Sequence, residues 1–282
     1  MVGYYPKTLD EALKLLNQKK GATIFAGGTD LMVQKKFAQD VIFINQIEEL
    51  ESISKDADNL YLGAKCTYIQ LIYADIPEIM KEVFSQIASP AIRNRGTIGG
   101  NICNASPAGD SLPMWYAMDA VLKLESLDEE GKRQERLLPI RDFIKGIRKI
   151  DRKDNEILTQ VILPIEYCNN DVFYYHKKVG ARKSEAISKL SFFGLAKIEA
   201  GKIRKAGIAF GAVGITVVAD RGLQGQLEGM DKKALHNIKA ELIGRYMQIV
   251  KPIDDQRSTA LYRKKVSENL LTDFLDKTEE NM

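Results

Sequence analysis

Two glycine-rich stretches carry the residue types that could hold a phosphorylated ligand. The first is Ala26-Gly27-Gly28-Thr29-Asp30, set between a short apolar run and a Leu-Met-Val turn. Two glycines permit a tight turn whose successive N–H groups converge on one point. Such a nest binds anions, and a helix start reinforces it. Thr29 could add a hydroxyl. The motif is neither GxGxxG nor a Walker loop, since no Gly-Lys-Ser/Thr follows, and read alone it is equally a plain strand-to-helix turn. The second stretch, residues 89–110, reads SPAIRNRGTIGGNICNASPAGD. It lacks the periodic apolar residues of an ordinary helix or strand, so it is expected to be a long loop. A loop of that length, if buried, must find partners for its backbone polar groups. Gly99 and Gly100 let backbone come close to a ligand. Thr97, Asn101, Asn104 and Ser106 offer neutral hydrogen bonds, and Asp110 can accept from hydroxyls. These groups suit phosphate and ribose, hence a nucleotide; the alternative is a surface loop with ordinary turn chemistry. Two nests could hold the two phosphates of a dinucleotide from opposite sides, the backbone dipoles supplying the field.

The rest of the composition narrows the chemistry. The 282 residues carry a net charge of +3, and no basic cluster is interleaved with aromatics, so no nucleic-acid partner is expected. No apolar run approaches the length of a membrane span. The opening MVGYYPKTLDEAL has no apolar signal core, which leads to the expectation of a cytoplasmic protein. The three cysteines, Cys66, Cys103 and Cys168, are scattered without a CxxC, so no zinc or iron–sulfur ligand set is expected on this chain. Cys103 either lines a ligand or packs beneath the second stretch. With only two histidines, His176 and His236, neither a His-based metal site nor a Ser-His-Asp triad is supported. His176 follows Phe-Tyr-Tyr and reads as a sheet residue; His236 reads as a solvated helix residue. No catalytic side chain is assigned.

The elements that must position these residues follow from periodicity. Thr8 and Glu11 form a capping box for a helix over 8–20, closed by Gly21. Strands at 22–26 and 41–44 flank the first motif, implying a small α/β unit with parallel pairing. Strands near 52–54 and 60–62 follow, then helices at 68–73 and 77–88. After the second stretch come a helix at 112–118 carrying Trp115, a hairpin of 120–126 with 133–138, and a strand at 156–163. The charge-rich segment 145–154 reads as a surface loop. Arg93 and Arg95 either face solvent or meet an acidic partner or phosphates. The last third reads as an antiparallel meander at 172–178, 187–198 and 203–213, followed by amphipathic helices at 232–250 and 258–275. The chain is therefore α+β, with expected domains at 1–52, 53–166 and 167–282.

The two motifs together carry a resemblance. AGGTDLM at 26–32 followed by SPAIRNRGTIGGNICNASPAGDSLP at 89–113 resembles the FAD-binding subunit of the molybdenum hydroxylases, the group of xanthine, carbon monoxide and nicotinate dehydrogenases. The likeness extends to YYPKTLDEALKLL at the start, NEILTQVILP at 155–164, KKVGARKSEAISKLS at 177–191 and RSTALYRKKVSENLL at 257–271. The resemblance implies a FAD-binding fold of the vanillyl-alcohol oxidase type with a C-terminal domain of three antiparallel strands and helices. It also implies non-covalent FAD. Ala26, Gly27, Gly28, Thr29 and Asp30 would wrap the pyrophosphate. Thr97, Gly99, Gly100, Asn101 and Asn104 would contact phosphate and ribityl groups, and Asp110 a sugar hydroxyl. Leu158 and Lys178 would approach the isoalloxazine ring, Leu158 as an apolar contact. Lys178 either stabilises negative charge at the ring's N1–C2=O edge or is a solvated strand lysine. The implied function is electron transfer. Molybdopterin on a large partner subunit and [2Fe–2S] clusters on a small one would feed FAD, and NAD or another acceptor would take the electrons. The alternatives are a self-contained FAD-dependent oxidoreductase and a non-catalytic nucleotide-binding assembly subunit. After Gly211-Ala212-Val213, where the family often has a proline-containing loop, this chain reads GITVVA.

Overall fold

The helix Leu9–Gln18 begins as its sequence dictates. The Thr8 hydroxyl accepts the Glu11 N–H, while the Glu11 carboxylate takes the N–H of Lys7 rather than that of Thr8. Its buried stripe of Leu9, Ala12, Leu13 and Leu16 meets Ile42, Ile44 and Ile47 in one apolar cluster. The computed structural model describes all residues except Lys36, Asn170, Lys183 and Ser184. The last two belong to the 177–191 resemblance segment and so lie outside the described residues. The chain forms two compact units. One comprises Met1–Ile76, Ser89–Ala105 and Ala120–Ile165, the other Pro77–Ala88, Ser106–Asp119 and Glu166–Met282.

The first unit contains two larger sheets. Strands β1 (Val2–Tyr4), β2 (Thr23–Phe25) and β3 (Asp40–Phe43) pair in parallel, in the order β1-β3-β2. Strands β4 (Ile53–Lys55), β5 (Asn59–Gly63), β6 (Val121–Leu127), β7 (Arg133–Pro139) and β10 (Ile157–Pro164) form an antiparallel sheet ordered β4-β5-β10-β6-β7. Between β7 and β10 lies a small hairpin, β8 (Ile144–Gly146) with β9 (Lys149–Ile150). The segment expected to be a surface loop is therefore partly ordered. Arg136 holds it, pairing with Asp151 at 3.0 Å and in bidentate fashion with the buried Glu156 at 2.9 and 2.7 Å. Burial raises the Glu156 pKa, but the bonds from Arg136 and the Lys153 N–H outweigh it and hold the carboxyl below its usual range.

The second unit is a three-stranded antiparallel sheet, β11 (Val172–Val179), β12 (Leu190–Glu199) and β13 (Lys202–Gly211), in sequence order. Ala200 and Gly201, both at positive φ, make the two-residue turn between β12 and β13, the geometry that matches strand twist. Leu190 through Ala196 are buried without alternation, because helices cover both faces. On one face Phe192, Phe210 and Phe274 join the helices Lys232–Ile249 and Ala260–Glu280 in a single cluster. On the other lies the wholly buried helix Leu112–Ala117. A Cβ on Gly207 would stand 2.2 Å from the Ala117 carbonyl oxygen, so the glycine lets that helix lie directly on the sheet. Trp115 is fully buried and donates to Ser111 Oγ at 3.2 Å. Among the described residues no helix is long and apolar enough to cross a membrane.

Phe274 stacks on Phe173 and abuts Phe192. Phe274→Ala is expected to cost about 3–5 kcal/mol, read as a lower urea midpoint with an unchanged denaturant slope.

Candidate functional site

The first motif leaves the end of β2 and turns into the short helix Leu31–Gln34. Gly28 sits at φ +71°, and a Cβ on Gly27 would fall 1.8 Å from the Arg95 carbonyl oxygen. Only glycine permits that approach of two main chains. The N–H groups of Gly27, Gly28, Thr29 and Asp30 have no protein acceptor among the described residues, the first helical bond being Met32 N–H to Gly28 O. All four residues are half-buried. Consecutive unsatisfied donors at a strand-to-helix turn are the chemistry of an anion nest.

The second motif differs from its sequence expectation. Residues 89–110 are not a structureless loop: they hold the helices Pro90–Arg93 and Ile98–Asn104. Ser89 and Thr97 cap them through their hydroxyls, and the capping residues supply the start signal that apolar periodicity lacked. The N–H groups at the start of the second helix are already engaged. Ile98 donates to Cys66 O at 3.1 Å, Gly99 to Ala64 O at 2.8 Å and Gly100 to Thr97 Oγ1 at 3.1 Å. They therefore dock the motif against the end of β5 rather than wait for a ligand. Gly99 is there for packing, since a Cβ would meet Ala64 O at 2.7 Å, whereas Gly100 is exposed. A bulge in β10 supports this docking: between Leu158 and Gln160 the register shifts, and Thr159 O accepts the Ala64 N–H at 2.8 Å. Leu158, opposite Leu124, is buried.

The same unit joins the two motifs through a residue that sequence reasoning missed. Arg148 Nη1 lies 3.1 Å from Asp30 Oδ2 and donates to Asn104 Oδ1 at 2.5 Å. Gln34 donates to the same Asp30 oxygen and reaches Asn104 Oδ1 at 3.4 Å. The only sequence signal for Arg148 was its place in the charge-rich segment 145–154, read as a surface loop. Cys103 is half-buried, and loss of solvation pushes its thiol up to about 11, a protonated and unreactive state at neutral pH.

In the second unit Asp110 and Lys178 meet. Lys178 Nζ lies 2.7 Å from Asp110 Oδ2 and donates to Gln86 O at 2.7 Å, while Ser188 Oγ donates to Asp110 Oδ1 at 2.5 Å. Both side chains are largely buried, at 5% and 12% exposure, so Lys178 is not a solvated strand lysine. Its neighbour His176 is buried against Phe193, and neither ring nitrogen has a hydrogen-bond partner among the described residues. Glu82 Oε1 lies 3.8 Å from its Nδ1. His236, by contrast, is largely exposed on its helix.

A parallel α/β layer and an antiparallel sheet bearing two glycine-rich motifs make up the first unit, and a three-stranded sheet with two long helices the second. Two family models match the chain: residues 2–166 match the FAD binding domain in molybdopterin dehydrogenase, and residues 175–278 match the CO dehydrogenase flavoprotein C-terminal domain. The chain belongs to this family of flavoprotein oxidoreductase subunits. It is 36% identical over 196 residues to the nicotinate dehydrogenase FAD-subunit of Eubacterium barkeri, covering 66% of this chain and 64%, just under two thirds, of that subunit. It is 30% identical to the xanthine dehydrogenase FAD-binding subunit of Escherichia coli O157:H7, covering 75% of this chain and 73% of that one. A chain in the crystal structure of the cyanide-inactivated Cu,Mo-CO dehydrogenase superposes with a TM-score of 0.86 at 25% identity, over 99% of this chain and 98% of that one.

Burial lowers the His176 pKa from 6.5 to about 4, with Lys177 and Lys178 adding to the effect. The unfolded chain takes up this proton near 6.5 and the folded chain only near 4. Stability is therefore fully present above 6.5 and falls as the pH drops from 6.5 toward 4, by on the order of 3 kcal/mol. His176→Leu should flatten denaturation midpoints across that window.

Proposed function

We propose that this chain is the FAD-binding, electron-transferring subunit of a multi-subunit molybdenum hydroxylase. The observation that carries the reading is the run of unpaired N–H groups from Gly27 to Asp30, held by main-chain contact against the segment leading into the second motif. When bound, FAD would supply the exchange between one-electron donors and a two-electron acceptor. The turn at Gly27, Gly28, Thr29 and Asp30, with Ala26 at its start, would hold the pyrophosphate by N–H donation, and the Thr29 hydroxyl could add to it. Because the N–H groups of Gly99 and Gly100 are engaged, the second motif would act through side chains and shape: Asn101 and Asn104 would face ribityl or phosphate oxygens, with Thr97 fixing the helix start. Asp110 keeps lone pairs beyond those used by Lys178 and Ser188, so it could still accept from a hydroxyl. Leu158 would offer an apolar contact to the ring, and Lys178 a positive charge.

The electron source in this reading is a small [2Fe–2S] partner, fed by a large molybdopterin-binding subunit, and the sink is NAD or another external acceptor. The three cysteines, none of them in a disulfide, fit a reducing, cytoplasmic setting.

The purified chain should take up FAD on reconstitution and turn yellow. Dithionite should bleach the flavin band, and NAD should restore it. A chain that stays colourless would sink the reading, and one that binds FAD but is not reoxidised by any acceptor would favour an assembly role. Gly99→Val, whose side chain would press on the Ala64 carbonyl, should lose flavin retention on gel filtration.

A further inference from the structure

We propose that Arg148 is a positioning residue of the flavin site, a charge-compensating clasp across its two glycine-rich segments; the inference rests on the FAD reading above. Asp30 closes the turn whose N–H groups would attract a diphosphate, yet it places a carboxylate beside them. Its side chain caps no helix N–H, so local folding does not explain it. At short range, two like charges oppose one another. Among the described residues, the cation paired with this carboxylate is Arg148. Arg148 Nη1 reaches Asp30 Oδ2 at 3.1 Å and Asn104 Oδ1 at 2.5 Å, so a single group compensates the first motif and ties it to the second. Gln34 spans the same two oxygens.

The clasp is held in place rather than reached by chance. Arg148 N–H donates to Ala105 O at 3.1 Å, and both residues sit in the left-handed region, at φ +56° and +46°. That conformation is uncommon for residues other than glycine and marks an imposed geometry. The hairpin of β8 and β9 fixes the segment on both sides of Arg148, and Arg136 anchors it at Asp151. The Arg148 and Asp30 side chains remain 47% and 44% exposed. A pair so exposed adds little to folding stability, which leaves charge and alignment at the nest as its effect.

The test is FAD titration into the full apo-chain, followed by flavin fluorescence, with thermal melts of each variant. Arg148→Met should weaken binding on the order of tenfold, because it leaves Asp30 uncompensated. Adding Asp30→Asn to that variant should recover most of the loss. A purely structural role for Arg148 would give no such rescue. Wild-type affinity in Arg148→Met, or a double variant as weak as the single one, overturns the proposal. Should Arg148→Met not fold, Arg148→Lys decides: it keeps the charge, so affinity within about threefold of wild type supports compensation, and a tenfold loss overturns it. A wild-type chain that binds no FAD would overturn the flavin reading itself, which separates the two failures.

Discussion

The arrangement of the first unit depends on main chain lying directly against main chain. Gly27 meets the carbonyl of Arg95, and Gly99 meets that of Ala64, at separations that leave no room for a Cβ. These two contacts lock three stretches distant in sequence: the exit of β2, the end of β5 and the segment around residue 97. Hydrogen bonds from Ile98 and Gly99 then fix the angle of the second helix, and the bulge at Thr159 presents the carbonyl that secures Ala64. Without a side chain at the points of contact, the geometry can be set by backbone bonds alone. These are shorter levers than side chains and have less conformational freedom to lose.

This gives the glycines a different physical role from the one their composition suggests. In sequence, adjacent glycines in a polar stretch imply a loop that comes close to a ligand. In the folded chain the first pair leaves its donors open, while the N–H groups of the second are spent on protein acceptors. Both are Gly-Gly, and nothing local distinguishes them; the difference arises from what β5 and β10 bring alongside, which is long-range information. The caps at Ser89 and Thr97 were present in the sequence as start signals, but short helices with polar faces carry no periodic pattern to accompany them.

Where periodicity was strong the sequence was readable. The helix at Leu9–Gln18, the parallel strands around the first motif and the meander of the last third stand where apolar spacing put them. The buried pairing of Asp110 with Lys178 was not readable: each residue was a candidate by itself, and only the fold brings positions 68 residues apart in sequence to 2.7 Å. Arg148 was hidden for a related reason. In a segment crowded with lysine, arginine and aspartate, charge identity says nothing about which cation meets Asp30, and selection among them comes from the hairpin geometry and a left-handed backbone.

The two units interleave along the chain. Pro77–Ala88 and Ser106–Asp119 belong to the second unit, yet each is followed by a stretch of the first. During synthesis the helix Leu112–Ala117 emerges well before β12 and β13, the strands that bury it. Its six residues, all buried in the finished fold and including Trp115, must wait on the ribosome without their partner surface. Nor does the first unit have its full sheet until β10 has left the exit tunnel. This chain therefore cannot assemble strictly from its N-terminus, and the nascent polypeptide carries an apolar segment in need of shielding until translation is well into the last third.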